Sequence, residues 1–338
     1  MVVAILLCAC AAPIPSTAGA PTPSPPSATA SPPASPQPAS SGSATASLSS
    51  EALRAAVDAP AIRTHLEELQ RIADANGGNR ATGTSGFDAS VAYVAAQLEA
   101  AGYEPVQQTF AVAGTTSRNV VAERHGTGDE ILVVGAHLDS VPAGPGINDN
   151  GSGVATLLVI AARLAELRVP DRSVRFAFWG AEEGGPFGSQ AYVDQLQPRE
   201  RARIVAYLNF DMLGSPNFVR FAYAEAGAAP GSDELTAVLS SYFEGAGLAW
   251  EPIDLTGHSD HGAFAAAGIP TGGLFSGGRE PKTDAQAAAF GGTAGSPADP
   301  CSDAACDTLA NVSDLALDQM SDAAAHAIAT LASTVTSE

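Results

Sequence analysis

Apolar residues recur at helical spacing over residues 51–75 and 87–101, and Gly77-Gly78-Asn79-Arg80 breaks the chain between them. The pattern predicts two amphipathic helices joined by a turn. The period then shortens: residues 119–124 and 130–136 predict two strands around the turn Gly126-Thr127-Gly128-Asp129. A helical run follows at 154–167. Residues 174–180 and 205–210 are short and mostly apolar, as expected of strands covered on both faces. Residues 234–246 and 314–332 return to helical spacing. Strands alternating with helices predict an α/β fold, with a mostly parallel central sheet and helices on both faces.

Upstream of residue 51 the pattern is absent. Residues 11–50 are almost entirely Ala, Pro, Ser, Thr and Gly, a composition that cannot bury a core and predicts a disordered tether. Residues 1–10 resemble the end of a secretory signal and are too short to span a bilayer. Leu7-Cys8-Ala9-Cys10 has the form of a lipoprotein cleavage box with Cys10 as the lipidated residue; ordinary cleavage after Ala12 or Ala20 is the alternative. The expected organisation is a leader over 1–10, a linker over 11–50 and one folded domain over 51–338. The expected location is extracellular or, through a lipid anchor, the cell surface.

Acidic residues outnumber basic ones 36 to 16, giving a formal charge of −20. Such a surface repels nucleic acid and anionic lipid, so no nucleic-acid partner is expected, and a lipid anchor is the one expected membrane contact. Cys301 and Cys306 stand five positions apart near the C-terminus and read as a small-loop disulfide of an exported protein. A metal site there would lack further thiols.

Candidate chemistry gathers where predicted strands end. Residues 131–136 are followed by His137-Leu138-Asp139, 174–180 by Glu182-Glu183, and 205–210 by Asp211. Ligands of open α/β sheets bind at the carboxyl ends of strands, so three separate segments deliver a histidine and carboxylates to one edge. Asp139 could orient the His137 ring. Asp149, in the loop opening the next helix, would alone be read as a helix cap. Glu182 and Glu183 are adjacent acids directly after a buried strand, costly there unless a metal or protons neutralise them. A histidine with several carboxylates suits zinc or another divalent ion, and this many acids suggests two ions sharing a bridging carboxylate. No Gly-x-Ser-x-Gly elbow is present.

The chain resembles the bacterial two-zinc aminopeptidases of metallopeptidase clan MH, especially the secreted Streptomyces type. The likeness is carried by NGGNRATG (76–83), AHLDSVPAGPGINDNGSG (136–153), FAFWGAEE (176–183), YLNFDMLGSPN (207–217), SDH (259–261), GGLFSG (272–277), GGTAG (291–295) and CDTLANVSD (306–314). The resemblance implies that His137 and Asp211 bind one zinc, Glu183 the other, and Asp149 both. It makes Glu182 the general base and Asp139 the support of His137, and it implies a cis peptide at Asp149-Asn150. It also matches Asp318 and Asp322 to carboxylates of a calcium site. Three family positions differ here. The cysteine loop reads Cys301-Ser302-Asp303 where close relatives have Cys-Tyr-His, so Asp303 replaces the last histidine ligand and Ser302 a tyrosine donor. His258 replaces the arginine before the Ser-Asp-His motif, so His258 and Ser302 stand at substrate-binding positions.

The reading is a monomeric exported aminopeptidase that removes N-terminal residues, with an apolar preference, from peptides with a free N-terminus. The alternatives are another amidase or dipeptidase on the same scaffold, or a weakly active or non-catalytic binding relative in which Ser302 and Asp303 have cost turnover.

Overall fold

The computed structural model describes residues 47–333 apart from Ala113. Cys10, the leader and most of the expected linker lie outside the described residues. Eight strands form one sheet: β1 (Val106–Val112), β2 (Thr115–Arg124), β3 (Ile131–His137), β4 (Ser173–Trp179), β5 (Ile204–Asp211), β6 (Phe221–Tyr223), β7 (Glu251–Ile253) and β8 (Thr271–Phe275), in the order β1-β2-β4-β3-β5-β8-β6-β7. The central run β4-β3-β5-β8 is parallel, while β2 joins β4, and β6 joins β8, antiparallel. The mostly parallel sheet expected from the sequence is therefore present.

Side chains alternate between two cores. Leu132, Val134, Ala136 and Phe176 face helices Ala59–Ala75, Ser85–Ala100, Ser152–Glu166 and Asp314–Ala332. Ile131, Val133, Ala177, Trp179 and Tyr207 face helices Phe187–Gln195 and His261–Ala266. All seven residues of β3 are buried, which explains why its sequence does not alternate.

Three details differ from the sequence reading. The helix expected over 51–75 is two helices, Ser50–Arg54 and Ala59–Ala75, because Asp58 caps a new start and Pro60 occupies its first turn. Ser49 caps the first helix, Leu53 is fully buried and Leu48 packs on the core, so the folded domain begins before residue 51. The strands flanking residues 126–129 do not pair with each other; β4 lies between them.

The parallel centre brings three strand ends into line. His137 pairs with Trp179 at the ends of β3 and β4, and Gly135 pairs with Asn209, two residues short of Asp211. Gly135 is required there: a Cβ would lie 2.5 Å from Trp179 Nε1 and 2.6 Å from the Tyr207 hydroxyl.

Candidate metal centre and active site

The turns leaving β4 and β5 pass through left-handed backbone at residues with side chains, Ala181 at φ 62° and Met212 at φ 52°. Such conformations are held by surrounding structure and cluster at functional sites. Here they flank Glu182 and Asp211. Asp149 comes from the segment between β3 and helix Ser152–Glu166, and its peptide to Asn150 is cis, as the resemblance implied.

These turns place carboxylates around one ring nitrogen. His137 Nε2 lies 3.3 Å from Asp149 Oδ1, 3.4 Å from Asp211 Oδ1 and 3.9 Å from Glu182 Oε2. His137, Asp149 and Glu183 each offer a ligand atom, all within 4.8 Å of one another. Two buried oxygens in the group, Glu183 Oε1 and Asp211 Oδ1, have no hydrogen-bond partner. Unpartnered buried carboxylate oxygens facing an imidazole fit a divalent cation, and the mixed N and O donor set suits zinc.

Protonation follows from this crowding. Burial lowers the pKa of His137, but Asp211, Glu182 and Asp149 outweigh it and leave the ring well above its usual range. Burial raises Glu182, opposed by His137 and reinforced by Asp260, Asp211 and Asp139, for a net value well above the carboxylate range. Burial and then Asp149 push Glu183 up to about 10. Without a cation the group thus holds protons that a metal would displace.

The surrounding side chains fix these positions. His137 Nδ1 faces the Asp139 carbonyl at 3.2 Å, while the Asp139 carboxylate is 3.9 Å away. Asp139 therefore supports the ring through its backbone, and its carboxylate accepts instead from the Glu182 N–H at 3.0 Å and the Thr82 hydroxyl at 3.3 Å. Asp307 accepts the N–H groups of Asn148 and Asp149, both at 2.9 Å. Fully buried Arg80 donates to the carbonyls of Pro145, Leu138 and Gly146, gripping the loop between His137 and Asp149. A buried chain runs from Trp179 Nε1 to Tyr207, Asn209 and Ser259, whose hydroxyl donates to Asp211 Oδ2 at 2.8 Å. It leaves Asp211 Oδ1 facing His137.

Residues named less directly by the sequence occupy varied places. Ser302 is buried and donates to Asp149 Oδ2 at 3.1 Å. Asp303 is exposed, at φ 52°, with Arg279 Nη2 3.9 Å from its carboxylate; it lies outside the compact trio, though its charge raises Asp149. His258 is exposed in the turn before helix His261–Ala266. Cys301 and Cys306 form a disulfide. Asp322 is engaged by Arg54 at 3.1 Å and Tyr242 at 2.9 Å, with Asp318 one turn earlier on the same helix. Arg54 thus supplies positive charge beside Asp322. Sequence reasoning gave no role to Asp307, Arg80, Ser259 or Asp260. The last is fully buried, has both carboxylate oxygens unpartnered, and is raised by burial to about 7.

A mostly parallel α/β sheet with buried carboxylates gathered around a histidine at its strand ends fits a metal-dependent hydrolase, and residues 119–328 match the model of Peptidase family M28; the chain belongs to that family. It is 45% identical over 238 residues to leupeptin-inactivating enzyme 1 of Streptomyces exfoliatus, covering 69% of this chain and 53% of that one. The match thus spans about half the length of that curated relative. A zinc aminopeptidase from Bacillus subtilis superposes with TM-score 0.56 at 27% identity, covering 68% of this chain and 53% of that chain. An aminopeptidase from Aneurinibacillus sp. strain AM-1 shares the fold with TM-score 0.70 at 19% identity, covering 84% of this chain and 96% of that chain.

Proposed function

We propose that this protein is an exported, monomeric zinc aminopeptidase that hydrolyses the first peptide bond of peptides with a free N-terminus and an apolar first residue. The observation that carries the reading is the pair of unpartnered buried oxygens, Glu183 Oε1 and Asp211 Oδ1, turned toward His137 and Asp149. His137 and Asp211 would hold one zinc, Glu183 the other and Asp149 both, with Asp303 approaching from the rim. Bound zinc supplies a Lewis acid and lowers the pKa of the water it holds. Glu182 makes no side-chain hydrogen bond among the described residues and is free to take that water's proton and pass it to the departing amine. Asp139 holds the Glu182 backbone and so would position the carboxylate that acts as base. The acidic wall also suits a substrate's free ammonium group. Export is supported by the disulfide and by the apolar leader.

The test is zinc stoichiometry together with hydrolysis of aminoacyl-nitroanilides and their N-acetylated counterparts. Zinc-dependent release from the free-amine series alone is expected. Bound zinc with no turnover of any member would favour the non-catalytic reading. Equal turnover of acetylated members would favour another amidase.

A further inference from the structure

One positive charge at the rim is used by neither metal binding nor proton transfer. Arg279, four residues after β8, donates from Nε at 2.9 Å and from Nη2 to the Ser302 carbonyl. Ser302 sends its hydroxyl the other way, to Asp149 Oδ2 at 3.1 Å. A single residue therefore ties the guanidinium to the carboxylate at the centre of the metal cluster. Nη1 makes no hydrogen bond among the described residues, and the 3.9 Å to Asp303 is too long for one. The side chain is 56% exposed and its ion pair with Asp303 is loose, at 3.9 Å, so the guanidinium is open to a second anion.

An arginine fixed by one edge on a neutral carbonyl presents its other edge for bidentate binding of a carboxylate. The substrate's main chain brings one to this distance in only one circumstance. When the departing product is a single amino acid, its α-carboxylate lies about one Cα–Cα step, ~3.8 Å, beyond the scissile bond. Two hydrogen bonds and one residue separate Asp149 from Arg279, a span that leaves room for the scissile bond and one leaving residue between them. Longer peptides and amides carry no main-chain charge at that place.

We propose that Arg279 is a specificity-determining residue that binds the C-terminal carboxylate of the leaving amino acid, so that the site favours dipeptides with a free carboxylate. The inference rests on the aminopeptidase reading above. A charge-assisted contact at a half-exposed position gives a preference of about tenfold, the low end of such contacts.

The experiment compares kcat/KM of the zinc-loaded full chain on Leu-Gly and on Leu-Gly amide, for the wild type, Arg279→Gln and Arg279→Lys, at low and high salt. The expected result is an acid-over-amide ratio of about ten, expressed mainly in KM and shrinking as salt screens the contact. Arg279→Gln brings the ratio close to one, and Arg279→Lys restores part of it. A wild-type ratio near one, or a ratio that survives Arg279→Gln, overturns the role of Arg279 while leaving the peptidase reading intact. Failure to cleave either substrate rejects both.

Discussion

Glu182 and Glu183 are neighbours in the chain with different surroundings. Glu183 belongs to the trio whose ligand atoms lie within 4.8 Å, whereas Glu182 faces His137 from 3.9 Å and has its backbone held by Asp139. Glu182→Gln is therefore expected to lower kcat by about 10²–10⁴ with zinc content unchanged, because an amide cannot accept the proton. Glu183→Gln should lose metal; the reverse pattern in a metal analysis would exchange the two roles. Ser302 carries a second expectation. Its hydroxyl is committed to Asp149, so no side chain at 302 reaches toward a developing oxyanion. The double replacement Ser302→Tyr with Asp303→His should raise kcat, by up to about 10²-fold if the donor is restored. A fall in kcat at full zinc occupancy would show that the Ser302–Asp149 bond matters more than the missing donor.

Among the elements, the disulfide loop has the most concentrated effect on the site. Each cysteine is followed by a residue that grips Asp149: Ser302 after Cys301 holds the side chain, and Asp307 after Cys306 holds the backbone. The loop is too short for its closure entropy to give more than about 2 kcal/mol. Replacing both cysteines by serine should thus lower stability modestly and zinc affinity by about tenfold or more, the usual effect of losing a ligand's support. Chelator competition against thermal unfolding separates the two; unchanged zinc affinity would make the loop purely structural. Element scale is also where the sequence was least legible. β3, β4 and β5 were readable because burial on both faces makes them continuously apolar. β1 was missed because, of its seven residues, only Phe110 and Val112 are buried. β6 and β7 are three residues each, too short for any period. That β4 separates β2 from β3 depends on pairing between distant segments, which no local pattern encodes. The candidate ligands were legible because chemistry sits at strand ends; Arg80, Asp307 and Ser259 were not, because they act on backbone or on other side chains.

For the whole molecule, the buried acids couple protonation to stability. Asp260 and Asp307 are raised to about 7 by burial, Glu183 to about 10, and Glu182 well above its usual range. Each binds its proton more tightly folded than unfolded, so the metal-free folded state carries more protons. The stability they lend is complete at low pH and is lost as pH rises toward the folded values. His137, also raised, acts in the same direction. Depressed groups such as Asp211 and Glu225 act oppositely, but only in the acid range. The metal-free protein should therefore lose melting temperature between about pH 5 and 8, and zinc, by displacing the protons of its ligands, should lessen the decline. Scanning calorimetry with and without zinc decides it; a metal-free melting temperature flat or rising across that range would show that these acids do not govern stability.

The buried chain that ends on Asp211 begins at an indole, which gives the protein a built-in optical signal. The sequence has two tryptophans. Trp250 is part-exposed and bonds Glu244, whereas Trp179 is fully buried and reaches Asp211 through Tyr207, Asn209 and Ser259. With Trp250 replaced by Phe, all tryptophan emission comes from the far end of that chain. Loading zinc onto Asp211 changes the charge to which every donor in the chain points, and the emission of Trp179 should shift in step with occupancy. Metal binding could then be titrated by fluorescence, without substrate or dye, and Ser259→Ala, which cuts the chain at its last link, should uncouple the signal from the metal.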